Sequence, residues 1–550
     1  MGTGQMDIDD QLVQGLMRPG VLPDSAGGVE LIETHISWVL LAGEYAWKLK
    51  KPLDLGFLDF STLERRRAAC EDELRLNQRT LPAIYEAVVP VWRTAHGLSV
   101  GAAGAEAAGG AAVAPGSAGA MPLDYLVRMR RFDQAGLFSR LLEAGRLEPS
   151  LFDRLARHVA EFHAAAAVAR PAGNFGHAAR VHAPVRQNFE QIRERIDDPV
   201  LLAELARVED WAETQFAVLA PVFDARLGAG RVRECHGDMH LGNLVVLDGE
   251  PRLFDAIEFS AELRWTDVIA DVAFLVMDLQ ARGEAALGWR FLNAWLERTG
   301  DYAGLRVLPY YLSYRAMVRA KIAAIRATQV EGEARAQSLA ECGRYLALAA
   351  AQTHAPAPAL LIASGLSGAG KTSQSQPLLE SHGVIRVRAD VERKRLFGLA
   401  PEAASDSGLG RDLYSAEASA RTYAKLAELA RGVVEAGYAA LVDATFLKRA
   451  QRQGFAALAA AANVPFVILA FDAPLEVLRE RVSQRAEAGT DASEANLAVL
   501  EAQTLEREAL DAGELARTLE IDTRCVPDWA ALSSTLAALW PAAGASVADA

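Results

Sequence analysis

Apolar positions along the chain follow two regimes. Between residues 29 and 130 they form short, strand-like runs: "SWVLLAGEYAWKLK" (37–50), "AVVPVW" (87–92) and "LDYLVRMRRF" (123–132). These runs surround one charged helical stretch, "TLERRRAACEDELRLNQRTL" (62–81). Period-two alternation places Lys48 and Lys50 on one face of their strand. From 134 to 350 the spacing is mostly helical, with Phe152, Leu155, Val159 and Phe162 making a core stripe. His163, beside that stripe, reads as a packed or surface histidine.

The helical region is interrupted by "HGDMHLGN" (236–243), then by "LVVLDGEPRLFDAIEF" (244–259). The second segment predicts a hairpin: strands "LVVL" and "RLF", turn "DGEP", and Asp255 just beyond. Past residue 358 the pattern changes to buried strands alternating with helices, which predicts a parallel α/β sheet. Its strand runs are "LLIAS" (360–364), "VIRVR" (384–388), "YAALVD" (438–443) and "VPFVILAFD" (464–472).

The small, proline-containing "AQTHAPAPA" (351–359) predicts a linker. The expected domains are 1–350 and 359–550, with 351–358 between them. Residues 101–121, low in complexity, are expected to form a flexible loop joining two strands.

Composition narrows the class. A chain of 550 residues is too long for one core. Its 57 Lys and Arg against 71 Asp and Glu give a net charge of −14, which argues against a nucleic-acid coat or an anionic membrane partner. The four cysteines, Cys70, Cys235, Cys342 and Cys525, show no CxxC spacing, so neither a disulfide framework nor a structural zinc site is expected. The N-terminus lacks the apolar core of a signal peptide, and no run approaches the roughly 18 apolar residues of a membrane span. A soluble, cytoplasmic protein is expected.

"HGDMHLGN" allows a metal reading through its two histidines, but Gly237 and Gly242 oppose the helix that an HExxH-type pair needs. A phosphoryl-transfer reading fits better. Asp238 precedes Asn243 by five residues, the spacing between base and metal-binding Asn in kinase catalytic loops, and Asp255 follows a short hairpin. Asp238 would orient an acceptor hydroxyl and take its proton. Asn243 and Asp255 would hold Mg²⁺ against ATP phosphates, and His236 would brace the loop. Asp267 and Asp271, one helical turn apart, could brace it as well.

On these residues the segment 30–345 resembles the aminoglycoside phosphotransferase-like branch of the protein-kinase-like fold. The resemblance implies a bilobal α+β domain, with an N-lobe at about 25–130 and a helical C-lobe at about 131–350. It further implies a phosphate-gripping strand lysine paired with a helix glutamate. Lys48 is preferred, with Lys50 the alternative; Glu73 is preferred, with Glu71 the alternative. The sequence departs from the kinase pattern at one place. No GxGxxG precedes Lys48, and "ETHISWVLLAGEYAW" (33–47) stands there instead.

"GLSGAGKT" (365–372) matches GxxxxGK[ST] after an apolar strand. Gly365, Ser367, Gly368, Ala369 and Gly370 would wrap phosphates with backbone N–H groups. Lys371 would reach the β- and γ-phosphates, and Thr372 would ligate Mg²⁺. Downstream, Asp390 is a candidate acceptor base or a helix N-cap, and Arg393 and Lys394 could hold an anionic acceptor. Asp443, ending a buried strand, would approach Mg²⁺, with Thr445, Arg449 and Arg452 near the site. Arg481 and Arg485, one turn apart in a predicted helix and lid (475–495), could close over phosphates.

Residues 358–540 resemble the P-loop small-kinase group that includes polynucleotide kinase, gluconate kinase-like and chloramphenicol phosphotransferase-like domains. Taken together, the chain is similar to bacterial proteins that fuse an aminoglycoside phosphotransferase-like domain to an ATP-binding kinase domain. The reading is a bifunctional ATP- and Mg²⁺-dependent phosphotransferase acting on small-molecule hydroxyls. Its alternatives are a nucleotide-binding regulator, in which one domain gates the other, and a nucleic-acid 5′-hydroxyl kinase in the C-terminal domain.

Overall fold

A computed structural model describes residues 11–54, 56, 58–95, 97–101, 121–353, 357–400, 403, 415–488 and 495–541. The expected loop at 101–121, the centre of the linker at 354–356 and the lid segment 489–494 therefore lie outside the described residues, in whole or in large part.

The first six strands are β1 (Glu30–Glu33), β2 (Ser37–Ala42), β3 (Tyr45–Lys50), β4 (Tyr85–Thr94), β5 (Gly97–Val100) and β6 (Asp124–Arg130). They form one antiparallel sheet in the order β1-β2-β3-β6-β4-β5. Strand alternation divides the two faces of β3. Trp47 and Leu49 join Leu40, Val91 and Leu126 in an apolar cluster, while Lys48 and Lys50 reach α1 (Leu63–Asn77) through Glu73. Helix α1 starts where the Thr62 hydroxyl accepts from Arg65 N, 3.3 Å away. Its buried stripe is Arg66, Ala69, Cys70, Glu73, Leu76 and Asn77. Four of these six carry polar side chains or a thiol, and the charged members are paired: Arg66 donates to Asp124 at 2.9 Å.

Beyond α2 (Pro149–Ala165), α3 (Ala178–Arg193) and α4 (Pro199–Gly228) come four short strands. They are β7 (Val232–Glu234), β8 (Leu244–Leu247), β9 (Glu250–Leu253) and β10 (Trp265–Asp267), paired as β7–β10 and β8–β9. The β8–β9 turn is narrower than the expected "DGEP". Only Asp248 and Gly249 make it, with φ of 52° and 78°. Asp-Gly adopts the positive φ values that a two-residue hairpin needs, so Glu250 and Pro251 stay in the strand. Helices α5 (Val268–Ala281), α6 (Ala285–Thr299), α7 (Leu308–Ala327) and α8 (Gly332–Ala351) follow.

The last sheet contains β11 (Leu360–Ser364), β12 (Ile385–Arg388), β13 (Ala440–Asp443), β14 (Phe466–Asp472) and β15 (Thr518–Asp522). All are parallel, in the order β12-β13-β11-β14-β15. Leu360, Leu361, Ile362 and Ala363 are fully buried, as a central strand covered on both faces requires. Neighbours lie on either side of β11, so the chain reverses direction there, and ligands of such sheets bind beyond the strand's C-terminal end.

The chain divides into two compact units. One holds Met1–Leu147, Glu161–Arg180 and Arg226–Asp271; the other holds Glu148–Ala160, Val181–Ala225 and Val272–Ala550. This division does not coincide with a cut near residue 355, because α6 packs on the last sheet. Asn293 Nδ2 donates to Val384 O at 3.0 Å and Asn293 Oδ1 accepts from Arg386 N at 2.8 Å. One buried amide thus takes the place of a neighbouring strand on the open edge of β12.

Candidate functional site

The first candidate site lies within the first unit. Gly237 takes φ of 85°, and a Cβ there would sit 3.2 Å from the Ile257 side chain, so the loop needs glycine at this turn. Asp271 clamps the loop from below, accepting from His236 N at 3.0 Å and Gly237 N at 2.8 Å. His236 is fully buried, with Nε2 2.9 Å from Phe254 O, and burial pushes its imidazole below the usual range. Asn243 Nδ2 donates to Asp238 O and Oδ2, each at 3.0 Å. Asp255 has φ of 60°, a left-handed conformation costly for a non-glycine residue and concentrated at functional sites.

Lys48 joins this loop to the sheet. Its Nζ lies 2.9 Å from Glu73 Oε1 and 2.6 Å from Asp255 Oδ1. Lys50 also pairs with Glu73, and further with Glu258. Burial disfavours the Lys48 charge, but Asp255 and Glu73 outweigh it and hold the ammonium well above the ordinary lysine value. Burial likewise opposes the Glu73 charge, yet the two lysines bring its carboxyl down to about 2. Glu71 instead faces solvent and pairs with Arg67.

Glu258 and Tyr85 had no sequence signal, and His163 is the packed histidine that its place beside the apolar stripe allowed. Glu258 sits at the Lys50 pair. Tyr85 accepts through its hydroxyl from Asp255 N at 3.2 Å. His163 is buried, with Nε2 3.2 Å from Asp271 Oδ2. Together with Cys235 these two form a buried group of ligand-type atoms within 4.8 Å of one another. Asp271 also braces the loop backbone, while Asp267 pairs with Arg226 at 2.6 Å, away from the loop residues named above.

The second candidate site lies within the other unit, at the end of β11. Gly365 has φ of 157°, and a Cβ there would meet Phe471 O at 2.5 Å, so any side chain would collide with β14. The loop ends in Gly370 and a one-turn helix, Lys371–Gln374. Lys371 Nζ donates to Gly365 O and Leu366 O, both at 3.0 Å, and burial lowers its pKa. The Thr372 hydroxyl donates to Asp443 Oδ2 at 2.5 Å. Ser367 N donates to Gln503 Oε1 at 2.8 Å, an amide oxygen in the position a phosphate oxygen can take.

Asp390 lies inside helix Ala389–Leu396, whose N-cap is Arg388, and accepts from Arg393 at 3.0 Å. Arg481 donates to Gly368 O at 3.4 Å and to Thr523 Oγ1 at 3.2 Å. Arg485 donates to Ala495 O at 3.1 Å.

A cavity of about 1490 Å³ gathers Ser367, Gly368, Gly370, Lys371, Thr372, Asp390, Arg393, Asp443, Thr445, Arg481 and Arg485. Ala369 is buried and faces away, with Gly365 packed beneath the loop. Three expected neighbours are elsewhere. Lys394 is buried, Arg452 is buried against Glu514 at 2.7 Å, and Arg449 pairs with Asp511 at 3.6 Å. Arg449 and Arg452 are thus held by carboxylates far along the chain.

The first group of residues lies beside a six-stranded antiparallel sheet and its helix α1, and the second at the end of the central strand of a five-stranded parallel sheet. A family described as "AAA domain" matches residues 360–510. Uncharacterized proteins of Mycobacterium bovis and Mycobacterium tuberculosis are 28% identical over 475 residues, covering 86% of this chain and 90% of theirs. Among solved structures, a choline/ethanolamine kinase family protein from Mesorhizobium loti is 12% identical. It covers 62% of this chain and 98% of its own, with a TM-score of 0.35. A sugar kinase from Janibacter is 22% identical, covers 34% and 98%, and has a TM-score of 0.25. Among the described residues, no helix is long and apolar enough to cross a membrane.

Proposed function

We propose that the chain is a bifunctional phosphotransferase with two separate ATP sites, each serving a small-molecule hydroxyl acceptor. One observation carries this reading: two sets of phosphate- and metal-type groups occur, Lys48–Glu73–Asp255 and Lys371–Thr372–Asp443, and they share no residue.

At the first site Lys48 grips nucleotide phosphates, and Glu73 sets its position. Asp238 orients the acceptor hydroxyl and accepts its proton. At the second site Lys371 leaves its two loop carbonyls for the β- and γ-phosphates, while the loop N–H groups cradle them. Asp390 takes the acceptor proton. The donor sets suit Mg²⁺, a hard cation that prefers oxygen ligands: Asn243 and Asp255 would hold it at the first site, Thr372 and Asp443 at the second. Bound there, Mg²⁺ offsets phosphate charge. The domains proposed to carry these roles are 1–350 and 359–550, joined by 351–358.

Nucleotide stoichiometry tests the reading. Equilibrium dialysis of the full chain with a non-hydrolysable ATP analogue should give two sites, falling to one in Lys371→Ala and to one in Lys48→Ala. A wild-type value of one, removed by a single variant, would refute two separate ATP sites, whereas two bound analogues with no turnover at the first site across an acceptor panel would favour the nucleotide-binding regulator.

A further inference from the structure

The cavity at the P-loop is larger than one ligand needs. Pockets for single small ligands hold about 300–1,000 Å³, against about 1490 Å³ here. Part of its lining does not come from the P-loop sheet or its own helices. Arg290, Asn293, Ala294, Glu297 and Arg298 of α6 contribute.

Helix α6 is seated firmly on that sheet. Besides the Asn293 bonds to the edge of β12, Glu297 pairs with Arg386 at 2.9 Å and with Arg388 at 3.6 Å. Arg386 in turn donates to Thr372 O at 2.8 Å. Arg290 pairs with Glu380 at 2.9 Å. A Cβ at Gly383 would meet the Trp289 ring at 2.8 Å. The wall is therefore a packed surface with fixed side chains.

Charge then limits what it can face. The cavity is lined by nine Lys and Arg and five Asp and Glu, an excess of four positive charges in a chain of net −14. A magnesium-bound nucleoside triphosphate brings about two negative charges. About two positive charges remain for a second ligand.

We propose that α6 forms the acceptor wall of the P-loop site, and that the acceptor is a small hydroxyl compound bearing a carboxylate or phosphate group, held by Arg298, Arg388 and Arg393. This rests on the P-loop reading given above. In the transfer, the acceptor oxygen bonds to the γ-phosphorus, and its proton passes to the Asp390 carboxylate. The bond from the γ-phosphorus to the β–γ bridging oxygen breaks, and ADP leaves with that electron pair.

The test uses the full chain, ATP, Mg²⁺ and a cell metabolite extract separated into anionic and uncharged fractions. Products that gain a phosphate and vanish in Lys371→Ala belong to the P-loop site. They should arise from the anionic fraction; an uncharged parent overturns the proposal. Purified sugar acids and sugar phosphates, as separate arms, distinguish carboxylate from phosphate. With the acceptor so found, Arg298→Ala and Ala294→Trp should each raise acceptor KM at least tenfold, with ATP-analogue Kd within twofold of wild type. Unchanged acceptor KM in both variants overturns the wall. Absence of any Lys371-dependent product refutes instead the P-loop activity on which the proposal stands.

Discussion

Replacing Glu73 by Gln removes one charge from between two buried lysines and keeps the side chain's size. Its carboxyl is fully buried and lies at about 2, against an ordinary value of 4.5. At about 1.4 kcal/mol per tenfold change, that displacement stabilises the fold by roughly 3 kcal/mol at neutral pH. The figure agrees with the roughly 3–5 kcal/mol lost when one partner of a buried ion pair is removed. Because the folded value is depressed, the stabilisation is complete above about pH 4.5 and disappears as pH falls toward 2. Amide hydrogen exchange in β3 and α1 reads this locally. At pH 7 the variant should exchange about a hundredfold faster there, and its ATP affinity should fall as Lys48 loses its tether. Glu71→Gln removes only an exposed i,i+4 pair with Arg67, worth roughly 0.3–0.5 kcal/mol, and should behave as wild type. Exchange within threefold of wild type in Glu73→Gln would refute the reasoning.

Two further substitutions probe the P-loop half. Asn293→Ala leaves Val384 O and Arg386 N without their partner on a buried edge. It should cost roughly 2–4 kcal/mol, seen as faster exchange in β12, and a fragment starting at 357 should aggregate where the full chain stays monodisperse by size exclusion. Gly365→Ala drives a methyl group into Phe471 O, so ATP-analogue binding at that site should weaken at least tenfold in dialysis.

Much of this was legible in the sequence, for physical reasons that differ by element. The P-loop and the HGD loop are chemical motifs, in which spacing alone brings the groups together. The face of β3 follows from period two, which is why Lys48 and Lys50 could not be separated: both reach Glu73. The buried face of α1 was concealed because its stripe is polar, with Arg66, Glu73 and Asn77 satisfied by distant partners. Only tertiary contacts reveal such a face. The same holds for α6. "AALGWRFLNAWLERT" (285–299) reads as any amphipathic helix, and nothing local says that Asn293 completes a sheet edge. Glu258 and Gln503 lie outside the motif spacings and meet their partners through long-range packing.

The central claim is that two phosphoryl-transfer sites work separately in one chain. The most direct test is to incubate wild type, Asp238→Asn, Lys371→Ala and the double variant with isotopically labelled ATP, Mg²⁺ and metabolite extract, then resolve the phosphorylated products by mass. Two product classes are predicted, one lost in each single variant and both lost in the double. A single variant that abolishes both classes, or that leaves both intact, would contradict the account.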